Sequence, residues 1–219
     1  MPAIRLGRSP VTVNKYDVVG TDAATGPSEF VGHLSMAGLD SQSIAYGSNV
    51  SVTHMLPPFN EHEEMNAHVM GSASLSQEEA KLIGVFLFEV SDEYKACGNK
   101  MTATDQYVAY PHVAEVKDQI DGMLLFHRFS CAGLVVEAYR YARVDLVKTE
   151  DVDLPLVPVE MLRVVYPHVD RRDRCRIGLL GEGPWPILLP GYILHALNRA
   201  REEIRANSYT AKPGDEIFN

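Results

Sequence analysis

The stretch Phe129-Ser130-Cys131-Ala132-Gly133-Leu134-Val135-Val136-Glu137-Ala138-Tyr139-Arg140-Tyr141-Ala142 decides how the chain reads, because it opens a helix on a cysteine. Ser130 has the hydroxyl that accepts from free backbone N–H groups in a first helical turn. Leu134, Val135, Ala138, Tyr141 and Ala142 then recur at the spacing of a helix packed on a core, with an expected end near Arg143. Cys131 falls three residues before Leu134, which points its sulfur along the same inward face. A thiol there meets the positive end of the helix dipole, which favours thiolate and nucleophilicity. Two readings follow: the nucleophile of a cysteine hydrolase, or a small buried cysteine filling a gap.

Around this helix, composition narrows the classes. A chain of 219 residues buries about 70% of its unfolded surface and needs no disulfide or metal staple. Hydrophobic residues make up 46% and charged residues 22%, ordinary proportions for a globular protein. The formal charge of −9 argues against a nucleic-acid partner, whose phosphates would be repelled. Cys97, Cys131 and Cys175 form no CxxC pair, so neither a disulfide framework nor a thiolate zinc site is expected. The N-terminus lacks an apolar segment behind its basic residues, and the apolar run Leu82 to Phe88 is too short to span a membrane. The expectation is a cytoplasmic protein with reduced thiols, no membrane span and no cofactor.

The first 55 residues read as strands and turns. Val11 to Val13 and Tyr16 to Val19 are short strand candidates, with a loop over 20–28. Glu29 to Gly38 reads as a strand, its faces carrying Phe30, Gly32, Leu34 and Met36 against Val31, His33, Ser35 and Ala37. After a turn at 39–42, Ser43 to Ser48 returns as a second strand and Asn49 to Met55 as a third or a continuation. Pro57 and Pro58 end this region. Ser76 to Glu79 is a capping box, Ile83, Phe86, Val90 and Tyr94 keep helical spacing, and Cys97-Gly98 is a stop. A strand is expected around Tyr107 to Tyr110 and a short helix over Val159 to Val165. Residues 181–190 are too proline-rich for regular structure. One final helix should start near Gly191, with Ile193, Leu197, Ala200 and Ile204 on a face. No repeat or low-complexity linker interrupts this, which predicts a single α+β domain over residues 1–219.

A cysteine nucleophile needs a base, and the base an orienting group. His33 is the best placed of eight histidines, mid-strand on a face with the small residues Ser35 and Ala37. With a two-residue turn at Asp40-Ser41, Ser35 lies opposite Tyr46. Tyr46 is then diagonal to His33 on the same face and can orient it. A one-residue slip in register removes Tyr46 from that face. The bland reading of His33 is a half-buried strand histidine with a backbone partner.

Two segments carry a resemblance. Ser130-Cys131-Ala132-Gly133-Leu134-Val135 resembles the nucleophile helix of the NlpC-type papain-like hydrolases, and Phe30-Val31-Gly32-His33-Leu34-Ser35-Met36-Ala37-Gly38 resembles their base strand. Histidine precedes cysteine here, as in the circularly permuted branch that includes lecithin:retinol acyltransferase-like proteins. Members also carry a Pro-Gly-Asp turn into a strand before the histidine strand; Pro213-Gly214-Asp215 stands at the C-terminal end of this chain. The third family position is a polar residue on the next strand, commonly His, and its match here is Tyr46. The resemblance implies an α+β papain-like fold, a small antiparallel sheet packed on the nucleophile helix. It also implies a cysteine peptidase-like hydrolase or acyltransferase acting on an amide or ester. Cys131 would be the nucleophile and His33 the base, the substrate being a small molecule or a peptide.

Rivals remain. His127, four residues before the cysteine, and His54, on the third strand, are alternative bases or partners. Glu61 to His68 packs two histidines and several carboxylates; on a helix, Glu61, Glu64 and His68 would share a face able to hold a divalent metal, or the segment is a solvated acidic surface. A non-catalytic scaffold on the same fold is the further alternative. Trp185 between two prolines reads as a packing anchor, Cys97 and Cys175 as structural, and Asp170 to Arg176 as a self-paired surface run.

Overall fold

The computed structural model describes residues 2–24, 29–97, 102–167 and 169–219. The expected loop residues 25–28 and the Gly98 stop lie outside them. The chain is α+β, with antiparallel sheets. Its first third forms β1 (Ile4–Arg5), β2 (Val11–Val13), β3 (Val18–Asp22), β4 (Val31–Ala37), β5 (Gln42–Ile44), β6 (Ser48–Met55), β7 (Phe59–Ala67) and β8 (Val69–Gly71). Six of these make one sheet in the order β1-β8-β3-β4-β6-β7, while β2 and β5 pair separately. Both faces of this sheet are covered. Leu34 and Met36 of β4 enter the main core, whereas Ala37 joins Val13, Val19, Ile44, Val50 and Val52 in a second apolar cluster. The histidine strand is therefore buried on both sides, as central strands with covered faces are.

The pairing differs from the expected hairpin. Strand β4 pairs with β6 through Met36↔Thr53 and Ala37↔Val52, and β5 pairs with β2 through Val11↔Ile44. Positive φ at Ser41 and at Gly47 turns the chain twice, so only three residues run as β5 and Tyr46 lies outside the strands. Leaving the main sheet lets Ile44 close the second cluster with Val13. The segment 61–68 is not a helix either. It is mostly β7, the edge of the main sheet, paired with β6 from Ser48↔Ala67 to Met55↔Phe59. Exposed Glu61, His62, Glu63 and Glu64 dress that edge, and charge there discourages pairing with another chain.

Helix α1 (Gln77–Cys97) starts on the expected capping box: the Glu79 N–H donates to Ser76 Oγ and the Ser76 N–H to Glu79 Oε2. The strand expected at Tyr107 is instead a short helix, α2 (Ala103–Gln106), and one isolated bridge between Tyr107 and Phe129. A hairpin of β9 (Val113–Lys117) and β10 (Leu124–Phe129) then feeds directly into α3 (Cys131–Tyr141). Helix α3 packs on β4, β6 and α1 and carries the main core. Next come β11 (Leu156–Val157), α4 (Val159–Val165), α5 (Arg171–Arg176) and β12 (Trp185–Pro186).

The expected final helix is two, α6 (Pro190–Leu197) and α7 (Arg201–Ala206). Extended backbone at Ala200 separates them, and the Arg199 side chain holds the break by donating to the carbonyls of Ala196, Asn207 and Leu146. Among the described residues no helix is long and apolar enough to cross a membrane.

The last residues complete the histidine strand's surroundings. Positive φ at Gly214 turns Pro213-Gly214-Asp215, and Ile217 then bridges Phe30 antiparallel. The Phe218 N–H donates to Glu29 O (3.0 Å), and Arg5 Nε donates to Phe218 O (2.6 Å). His195 Nε2–H reaches Ile217 O, and the Phe218 ring is buried. The chain's end is thus a short neighbour of the start of β4. Phe218→Ala should lower stability by about 3–5 kcal/mol, read as a fall in the urea midpoint with an unchanged slope; a loss below about 1 kcal/mol would contradict this docking.

Candidate active site

Cys131 is fixed by what surrounds its helix start. Ser130 caps α3 as expected, its Oγ accepting from the Gly133 N–H at 2.8 Å. Gly133 is required: a Cβ there would fall 2.0 Å from the His112 carbonyl oxygen, which itself accepts from the Ser130 N–H. Ala132, Leu134, Val135, Val136 and Ala138 are buried, leaving Cys131 only 8% exposed.

The sulfur occupies a place made by two diverging strands. The Gly38 N–H donates to Ser51 O and Met36 pairs with Thr53, so even-numbered residues of β4 turn their N–H groups toward β6. That ladder ends at Met36↔Thr53. The next N–H on that edge, of Leu34, lies beside the Cys131 sulfur and favours its thiolate form. Tyr107 adds a hydroxyl beside the sulfur. The Tyr107 and Tyr166 hydroxyls lie 3.0 Å apart. Arg128 holds this wall: its Nη2 donates to Thr104 O (2.9 Å), to Arg176 O (2.7 Å) and to Tyr107 O.

His33 is held from behind by a relay. Continuing the β4–β6 register one residue sets His54 opposite Ser35, diagonal to His33. His33 Nε2 lies 2.8 Å from His54 Nδ1, and His54 Nε2 lies 2.9 Å from Glu63 Oε2. A carboxylate only accepts, so His54 carries its proton on Nε2 and accepts at Nδ1. His33 then donates through Nε2, which leaves Nδ1 as its free basic nitrogen. Two bulges shape this relay. Gly32 is the extra residue where β3 and β4 slip register, and a second slip opposite His62, at φ 60°, precedes Glu63. Bulges beside sites re-aim side chains in this way.

Cys131 and His33 line one cavity of about 340 Å³, together with Tyr107, Tyr166, Met55, Leu56, Pro57, Val169 and Ile177. A larger cavity of about 670 Å³ near Asn14 to Asp17 and the start of α1 has none of these residues in its walls. Burial pushes the Cys131 thiol up, against the opposing hydrogen bonds from the Leu34, Ala132 and Cys131 N–H groups and from Tyr107. Burial, and then the His54 ring, push His33 down to about 3. The resting pair is therefore a thiol and a neutral imidazole. The thiolate expected from the helix dipole does not prevail, because a dipole effect of about 0.3–1 kcal/mol is smaller than the cost of burying a charge.

The other candidates lie elsewhere. Tyr46 is 57% exposed and stacks on His68 at 4.6 Å, so it does not orient His33; the position assigned to it belongs to His54, because β6 and not the 43–48 segment borders β4. His127 sits on β10 with Glu93 (3.1 Å). Of the 61–68 cluster, Glu61 accepts from Ser91, Glu63 serves His54, and His68 pairs with Asp22. Alternation along a strand sends those ligands apart, and among the described residues no group of three or more His, Cys, Asp or Glu could hold a metal. Trp185 is a packing anchor whose indole donates to Leu180 O. Residues 170–176 form α5 with its N-cap, Arg176 reaching Asp105 and Asp173. Glu63, Tyr107 and Tyr166 escape sequence reasoning, since only pairing and loop placement bring them to the site.

Iodoacetamide labelling across pH should give Cys131 an apparent pKa above the free-thiol value of about 8.5. Tyr107→Phe should raise it further, because the Tyr107 hydroxyl beside the sulfur lowers it. A labelling plateau already reached at neutral pH would contradict the buried thiol. Comparison with known proteins finds no matching family model, no significantly similar curated protein and no significantly similar solved structure.

Proposed function

We propose that the chain is a cysteine hydrolase or acyltransferase with a permuted NlpC-type papain-like fold, cleaving an amide or ester through Cys131 with His33 as base. The observation that carries this reading is one cavity lined by both residues, with His33 backed by His54 and Glu63. The Pro213-Gly214-Asp215 turn and its bridge from Ile217 to Phe30 support the permutation: a segment that precedes the histidine strand in the resembling family sits beside that strand here, from the other end of the chain.

His33 Nδ1 takes the thiol proton as the sulfur attacks the carbonyl carbon, so charge appears only as the reaction proceeds. The imidazolium is stabilised through His54 toward Glu63. The Cys131 N–H, at the start of α3, would serve as a donor to the developing oxyanion. His33 then protonates the leaving group. Water or a second acceptor, activated by the same base, releases the acyl group. The cytoplasm, where thiols stay reduced, suits this chemistry.

The scaffold reading has one observation in its favour, the raised thiol. Hydrolysis of 4-nitrophenyl esters, followed with mass spectrometry of the acylated protein, separates the two. Cys131→Ser and His33→Ala should each lose about a thousandfold in rate or more, as removal of a triad member does. His54→Ala should lose roughly 10–100-fold, as loss of an orienting partner does. Because the base is lowered to about 3 and the thiol raised, kcat/KM should stay flat between about pH 5 and 8. An inert Cys131, or a rate indifferent to His33, would leave the scaffold reading standing.

A further inference from the structure

We infer that the group seated beside Cys131 is an uncharged aliphatic acyl chain, so that the substrate is an acyl ester or thioester rather than a charged peptide. This rests on the reading of Cys131 as nucleophile and deepens it. The cavity is walled by Met55, Pro57, Val165, Val169 and Ile177, with half-exposed Leu56 also in its lining. Among the described residues, no Asp, Glu, Lys or Arg lines it. A carboxylate or ammonium drawn in would be desolvated with no opposite charge to meet it.

A peptide fails on a second count. Its main chain brings an N–H and a C=O per residue, each needing a partner once buried. The polar side chains of the lining are few, and the Tyr107 and Tyr166 hydroxyls already lie against each other and the sulfur. An aliphatic chain brings no such groups, and about 340 Å³ falls at the lower end of ligand-site volumes.

The chemistry is an acyl transfer. The Cys131 S–H bond breaks, sulfur bonds the acyl carbon, and the thiol proton passes through His33 to the departing alkoxide or thiolate. Water then adds to the thioester, giving the carboxylic acid and restoring the thiol. No oxidant, reductant or metal enters the balance.

The test is a series of 4-nitrophenyl esters from acetyl to octanoyl, alongside labelling by methanethiosulfonates bearing an octyl, an ethylammonium or an ethylsulfonate group. On the ester series, kcat/KM should rise about three- to fourfold per added methylene, the factor for burying one CH₂, until the cavity fills. The octyl reagent should modify Cys131 at least tenfold faster than either charged one, each rate taken relative to a free thiol. Val169→Asp should cut the octanoyl-to-acetyl ratio at least tenfold; Val169→Thr, milder for folding, should cut it less. Turnover indifferent to chain length, or faster labelling by a charged reagent, overturns the acyl-chain proposal while the nucleophile stands. Failure of every ester to acylate Cys131 overturns the nucleophile and this proposal together.

Discussion

The hydrogen bond between His33 and His54 constrains everything else at this site. Burial, and then the neighbouring His54 ring, hold His33 neutral, and its tautomer is set from the Glu63 end. That order of donors leaves one nitrogen of His33 free and basic. A single isolated histidine on the same strand would have no such preference. The burial that keeps His33 neutral also keeps the Cys131 thiol protonated, so both groups rest uncharged.

The sheet exists in a form that allows this. Strands β4 and β6 run together through Ala37 and Met36 and then part, and the parting leaves the Leu34 N–H beside the sulfur of α3. An unbroken ladder would spend that N–H on β6. Apolar residues on both faces of β4 hold the strand in place despite the lost pairing, and the C-terminal Phe218 seals the end where it begins. Edge strand β7 contributes more than a charged margin: of its row of exposed carboxylates, Glu63 holds His54 and Glu61 anchors to α1 through Ser91.

What is local in this fold is legible in the sequence. The Ser130 cap, the apolar stripe of α3, the Ser76 capping box and the short helix over Val159 to Val165 all follow from spacings within a few residues. What depends on pairing is not. The need for a polar side chain diagonal to His33 and opposite Ser35 can be read, but its occupant cannot, because Tyr46 and His54 both suit the role and only the turns at Ser41 and Gly47 decide which strand arrives there. Glu61 to His68 has the composition of an acidic helix and becomes a strand because β6 offers it a ladder. Tyr107 reads as part of a strand, and it reaches the sulfur because Arg128 gathers three carbonyls from distant segments.

The central claim is that His33 is a neutral, buried base with Nδ1 free and Nε2 committed to His54. Side-chain ¹⁵N NMR of the histidines across a pH titration tests it most directly. The account predicts a His33 ring that stays neutral down to pH 5, protonated on Nε2 and bare on Nδ1, with its resonances moving in His54→Gln. A His33 ring that takes up a proton near the ordinary value of about 6.5, or that is unaffected by the loss of His54, would contradict it.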